Sequence, residues 1–255
     1  MAEPLPVGDV LGPAPAVASE IFGDRLELAI RFGELLAGSA VERGLIGPRE
    51  IPRLWDRHLL NCAVIGELIP NGSRVIDVGS GAGLPGIALA VVRPDLHVTL
   101  VEPLQRRVTW LMEAVAGLGL AAAVTVERGR AEEASLPPAD VVTARAVASL
   151  DRLAALTLPL ARAGGVLLAV KGQSAASELD SAEPVLRRLG ARRWGVRLCG
   201  ESVLAVPTTV VEIEAGEPVR RPAGHGGRTG GARGSTGPVG GRGEQGGNRR
   251  GRRGR

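Results

Sequence analysis

The chain has 255 residues, 44% hydrophobic and 23% charged, enough to bury a sizeable core and ordinary for a globular protein. Its net charge of +4 hides a split: residues 216–255 hold ten Arg against Glu217 and Glu244, a net +8, and leave −4 on the other 215 residues. The segment carrying that positive charge excludes a packed core of its own, because it contains fifteen glycines and few apolar side chains. Cys62 and Cys199 match no metal spacing and imply a reduced, cytoplasmic protein. The sequence shows no basic-then-apolar leader and no apolar run of bilayer length. No metal and no membrane are expected.

In chain order, residues 1–18 read as a flexible extension. Ser19 is a candidate N-cap for a helix to about residue 40, with Phe22, Leu26, Ala29, Gly33 and Leu36 on one face. Gly44 and Gly47-Pro48 interrupt the pattern. A second helix is expected from Pro52, at a first-turn position, to Leu68. Residues 19–70 therefore form a helical cap.

From Arg74 strands and helices alternate. Apolar runs predict strands at 74–78, 97–101, 123–127, 140–144 and 166–170, with helices at 85–92, 103–116, 149–163 and 174–189. Gly164 and Gly190 stand as helix stops. Residues 192–199 and 208–214 follow without a helix between them, which predicts an antiparallel hairpin. The fold class is thus α/β: a Rossmann-like, mostly parallel sheet over 71–215 ending in that hairpin, preceded by the helices. Residues 216–255 form a Gly/Arg-rich tail expected to be disordered and able to hold RNA phosphates electrostatically.

The strongest chemical signal is Val75-Ile76-Asp77-Val78-Gly79-Ser80-Gly81-Ala82-Gly83, a buried strand running into a glycine turn. Glycines let the backbone take φ > 0 and approach a ligand closely. Glu102 ends the next strand, where a carboxylate accepts hydrogen bonds from ribose hydroxyls. Loop and acid together indicate an adenosine-containing cofactor. Gly81-Ala82-Gly83-Leu84-Pro85-Gly86 formally fits the dinucleotide GxGxxG, so a nicotinamide is one alternative. A carboxylate at Asp77, however, disfavours pyrophosphate and favours the ammonium and sulfonium of S-adenosyl-L-methionine.

Asp77–Gly86, read with Arg145-Ala146-Val147-Ala148 and Lys171-Gly172, resembles the RsmG family, also called glucose-inhibited division protein B. The likeness runs from Trp55-Asp56-Arg57-His58 to about Glu214, and Gly-Leu-Pro-Gly is its most specific piece. It implies S-adenosyl-L-methionine-dependent methylation of guanine N7 in 16S ribosomal RNA, with the small ribosomal subunit as partner. It further implies cofactor contacts at Gly79, Leu84, Ala131, Glu132 and Arg145, to which the residue pattern adds Gly81 and Glu102. Gln105-Arg106-Arg107 departs from the Lys-Arg pair common in the family, but keeps the second basic position at Arg107. Lys171 is the single lysine among 31 basic residues and, with Arg107, a candidate for substrate binding. His58 shares a face with Ile51, Trp55, Cys62 and Ile65, which fits a packed, hydrogen-bonded histidine better than a reacting one. No acid or base is assigned; guanine N7 has a lone pair and no proton to lose. Alternatives are a methyltransferase for another RNA or protein, a nicotinamide oxidoreductase, and a non-enzymatic ribosome-assembly factor.

Overall fold

The computed structural model describes residues 11–145 and 148–217. The basic tail beyond Glu217, and Ala146-Val147 of the family-like segment, lie outside the described residues. Seven strands form one sheet in the order β3-β2-β1-β4-β5-β7-β6. They are β1 (Arg74–Val78), β2 (His97–Glu102), β3 (Val124–Arg128), β4 (Ala139–Arg145), β5 (Ala161–Val170), β6 (Arg193–Cys199) and β7 (Thr208–Glu214). The first five run parallel, and β7 is antiparallel to both β5 and β6. Residues 71–215 thus take the expected topology, with the closing hairpin inserted so that β6 lies at the edge.

Strand periodicity sorts the core into two layers. Val75, Val98, Leu100, Val141 and Leu168 face one side, where α4 (Gly86–Val92), α5 (Gln105–Gly117) and the N-terminal helices pack. Ile76, Val78, Val101, Val142 and Leu167 face the other, covered by α6 (Leu150–Thr157) and α7 (Ala175–Arg188). The chain runs outward from β1 to β3 and then returns to β4 on the other flank of β1. That reversal opens a crevice at the strands' carboxyl ends, the usual ligand site of an open α/β sheet.

The N-terminal region is helical, with three departures from expectation. Helix α1 (Ala16–Phe22) begins after Pro15, not Ser19, and Leu11 is buried, so residues 11–18 are not a flexible extension. Proline at the cap fixes φ at −68° and directs the turn that follows. Helix α2 (Leu26–Leu35) continues as a π-helical segment, Leu36–Ala40. Pro48, not Pro52, occupies the first-turn position of the next stretch, whose 3₁₀ turn Pro48–Arg53 leads into a π-helical segment, Leu54–Leu60, then α3 (Asn61–Ala63) and a last 3₁₀ turn, Val64–Leu68. A further departure lies in the sheet. Helix α6 stops at Thr157, because Pro159 turns the chain into a 3₁₀ segment and β5 begins at Ala161. Gly164 is therefore no helix stop. It sits within β5 at φ +73°, where its N–H donates to Ala215 O at 2.8 Å.

Arg93 fastens the helical region to the sheet. Its Nη1 donates to Gly66 O at 2.8 Å and Ile69 O at 2.9 Å, and Nη2 to Asn71 Oδ1 at 3.0 Å. Asp95 takes the rest of the fork at 2.7 Å, and that pairing holds the Asp95 carboxyl well below its ordinary range. Arg93→Ala leaves Ile69 O without a donor and takes one of two from Gly66 O, at an expected cost of about 1–3 kcal/mol. Arg93→Lys should recover only part of it. Urea unfolding checks both; an unchanged midpoint for Arg93→Ala would mean the junction holds without it.

Candidate cofactor cleft

Strand β1 delivers Asp77 to the crevice in register with Thr143 of β4. The carboxylate is buried and accepts from Thr143 Oγ1 at 3.1 Å through Oδ1, and from the Gly86 N–H at 3.1 Å through Oδ2. Helix α4 can come this close only because residue 86 has no side chain. A Cβ there would overlap Leu100 Cδ2 and stand 2.7 Å from Asp77 Oδ2. Burial pushes the Asp77 carboxyl up to about 6, against hydrogen bonds from Gly86, Ser80 and Thr143 that lower it. Asp77 is not at hand for the expected direct contact with a bound cation: its side chain is fully buried and does not line the cleft.

Between β1 and α4 the glycine loop turns through positive φ at Gly79 (71°) and Gly81 (56°). Gly79 N–H donates to Val101 O at 2.9 Å, and Gly81 N–H to Glu102 Oε2 at 3.0 Å. Glu102 Oε1 accepts from the Leu104 N–H at 3.0 Å, and Arg107 Nη1 lies 3.5 Å from Oε2. The acid at the end of β2 thus ties the loop to the start of α5. Each oxygen takes one backbone N–H, which leaves lone-pair capacity on the cleft side.

A cleft of about 750 Å³ opens over this loop, within the range of small-ligand sites. Gly79, Gly81, Leu84, Glu102, Arg107, Ala131, Glu132 and Arg145 all line it, so these expected binding residues, drawn from the glycine loop, β2, α5, the loop after β3 and the end of β4, meet in one place. Lys171 does not. Its Nζ donates to Ala148 O at 2.9 Å and pairs with Glu178 at 2.8 Å, so it braces a wall residue from behind. Arg107 Nε is the one buried side-chain polar atom without a partner among the described residues, a donor left over at the cleft. Loop, acid and orphaned donor fit an adenosine-bearing ligand.

The far wall was not legible in the sequence: Leu45, Ile46, Gly47, Glu50 and His58 come from the N-terminal region, Arg130 from the loop after β3, and Arg152 and Leu156 from α6. His58 is buried, with Nε2 2.8 Å from Glu50 Oε2 and Nδ1 against Arg145 Nη2. Arg145 Nη1 lies 3.2 Å from Cys62 Sγ. Trp55-Asp56-Arg57-His58 was visible as a segment, but nothing local marks its partner 87 residues away. Among the described residues no group of three or more His, Cys, Asp or Glu is placed to hold a metal, and no helix is long and apolar enough to cross a membrane.

The family model described as GidB, rRNA small subunit methyltransferase G, matches residues 25–203. Ribosomal RNA small subunit methyltransferase G of Renibacterium salmoninarum is 59% identical over 206 residues, which cover 80% of this chain and 96% of that protein. The Streptomyces avermitilis protein of the same name is 58% identical, over 81% of this chain and 87% of its own length. Among solved structures, the mitomycin 7-O-methyltransferase MmcR aligns at TM-score 0.51 with 19% identity, over 79% of this chain and 69% of that one. TYW2 of M. jannaschii in complex with AdoMet aligns at 0.50 with 17% identity, over 64% and 78%. These structures share the fold.

Asp77 makes the fold's stability depend on pH in a defined direction. Its folded value of about 6 exceeds the ordinary 3.8, so its contribution is full below 3.8 and is lost as pH rises through 6. Asp77→Asn cannot ionise and should gain on the native protein between pH 4 and 8, by on the order of 3 kcal/mol at one pKa unit per about 1.4 kcal/mol. Paired melting curves across that range test it. A difference that does not vary with pH would show that Asp77 titrates normally.

Proposed function

Because this chain belongs to the small-subunit ribosomal RNA methyltransferase G family, we propose that it transfers a methyl group from S-adenosyl-L-methionine to N7 of a guanine in 16S ribosomal RNA. The observation that carries the reading is the meeting of glycine loop, Glu102, Ala131-Glu132 and Arg145 around one cleft in a chain of that family. A nicotinamide oxidoreductase and a non-enzymatic assembly factor are not members of it.

The bound cofactor supplies a methyl group on a positively charged sulfur. The chain's residues then have to bind, orient and keep water out. The Glu102 carboxylate, fixed by two backbone N–H groups, is placed to accept from ribose hydroxyls. Gly79 and Gly81 would let the backbone approach the ligand, Leu84 would supply an apolar contact, and Ala131-Glu132 would hold the adenine through an amide and a carboxylate. Guanine N7 attacks with its own lone pair and gives up no proton, so acceleration rests on alignment in a shaped pocket and needs no general base. Arg107, Arg130, Arg145 and Arg152 at the cleft favour the approach of a polyanion. Arg145 orients and does not stabilise the product, since a cation beside methylated guanine disfavours its new positive charge. A ribosomal RNA substrate supports a cytoplasmic site of action, and the ten Arg of residues 216–255 support a basic grip on RNA.

Arg145→Ala is expected to reduce methyl transfer to small-subunit RNA at least about 100-fold, the scale of a lost alignment. Its circular dichroism and melting temperature should change little, and Arg145→Lys should restore part of the rate. Transfer at the native rate by Arg145→Ala would remove the site from this cleft. Deleting residues 216–255 should leave S-adenosyl-L-methionine affinity unchanged in calorimetry while flattening the salt dependence of RNA binding, by roughly 0.7 in log–log slope per lost phosphate contact. An unaltered slope would show that the tail does not hold RNA.

A further inference from the structure

The Arg145 guanidinium reaches the cleft at the end of β4, but its direction is set from the opposite wall. Nη2 rests on His58 Nδ1, and His58 Nε2 faces Glu50 Oε2 at 2.8 Å. A guanidinium has donors only and an ionised carboxylate acceptors only. A single state of the imidazole serves both: neutral, with its proton on Nε2 donated to Glu50 and its Nδ1 lone pair turned to Arg145. A doubly protonated ring would oppose an N–H to the N–H of Arg145 and put two cations in contact.

We propose that His58 is a positioning residue for methyl transfer: its Nδ1 lone pair, presented by the tautomer that Glu50 fixes, holds the Arg145 guanidinium along the cleft wall. The inference rests on the positioning role of Arg145 given above and adds the device that enforces it. Three features support it. His58 is only 6% exposed yet belongs to the cleft lining, so the contact is both shielded and adjacent to the reaction space. It sits in the π-helical segment Leu54–Leu60, a local geometry that recurs at functional sites because it re-aims side chains. The surrounding charges also keep the ring neutral. Burial and then Arg145 push its pKa below 6.5, Arg57 on the same segment adds to this, and Glu50 pulls the other way without reversing it. Two further titratable groups act on Arg145: Cys62, whose thiol is pushed up by burial and stays protonated, and Asp77, whose buried carboxyl is pushed up to about 6 and feels the Arg145 charge. A histidine that merely filled the core would need a partner on each nitrogen but would not couple to transfer.

Acidification is therefore predicted to release Arg145 as His58 takes up its second proton, which places an acid limb on methyl transfer below pH 6.5. The limb's origin is visible without activity. The full-length chain contains three histidines, His58, His97 and His225, and ¹⁵N labelling with a His58→Gln control assigns the ring of interest. At pH 7.5 His58 should show a protonated Nε2 and a bare Nδ1. Arg145→Ala should raise its pKa by about half a pH unit or more, because a neighbouring cation has gone. Glu50→Gln should lower it and carry the acid limb of transfer to lower pH by a similar amount. A proton on Nδ1, or a His58 titration indifferent to Arg145→Ala, overturns the proposal even if His58→Gln does not fold. So does an acid limb that Glu50→Gln leaves in place. If the native protein moves no methyl group to small-subunit RNA, the proposed function fails, while the tautomer and its response to Arg145→Ala still decide whether His58 holds Arg145.

Discussion

The buried carboxylate of Asp77 is the constraint on which the site depends. One oxygen spans to Thr143 of β4 across the point where the sheet reverses direction, and the other holds the first N–H of α4. Those two bonds tie the end of β1 to β4 and to the start of α4, and so fix both ends of the glycine loop between them. Gly86 is part of the same device, because a methyl group there would force α4 away from both Leu100 and the carboxylate. Burying an ionisable group is unfavourable, and the raised pKa of Asp77 is the mark of it. The return is a crevice whose floor is fixed before any ligand arrives.

The walls are built on that floor by residues that answer to one another across the sequence. Glu102 takes one backbone N–H from the glycine loop and one from just before α5, so the acid that lines the cleft is itself held in place. Glu50 orders His58, and His58 orders Arg145. The N-terminal helices are thus more than a cover over the sheet, since they supply the acceptor that aims a cation of β4. Such support suits a reaction whose nucleophile needs no activation, because precision of placement is then the main thing the protein can contribute.

The parts legible in the sequence were those governed by neighbours in the chain. Alternating apolar runs and helical stripes give the order and type of nearly every element. The glycine loop and Glu102 could be read because a strand, a turn and the next strand's end suffice to bring them together. Misreadings arose where distant residues decide. Asp77 looks like a ligand contact until Thr143 and Gly86 are seen to hold its carboxylate buried, away from the cleft lining. Gly164 looks like a helix stop until Ala215 and β4 claim that segment for the sheet, with Gly165 packed 2.9 Å (as a Cβ) from Asp140 O. Lys171, singled out as the lone lysine, turns inward to Glu178 and Ala148. The pairing of His58 with Arg145 has no local signature at all.

Methylation of guanine N7 in small-subunit ribosomal RNA is the activity proposed for this cleft. Mass mapping of methylated nucleotides in 16S RNA tests it most directly, in cells lacking the protein and in the same cells with the gene restored. One N7-methylguanine should vanish without the protein and return with it, while every other modified nucleotide stays in place. An identical methylation map in both cells would contradict the claim.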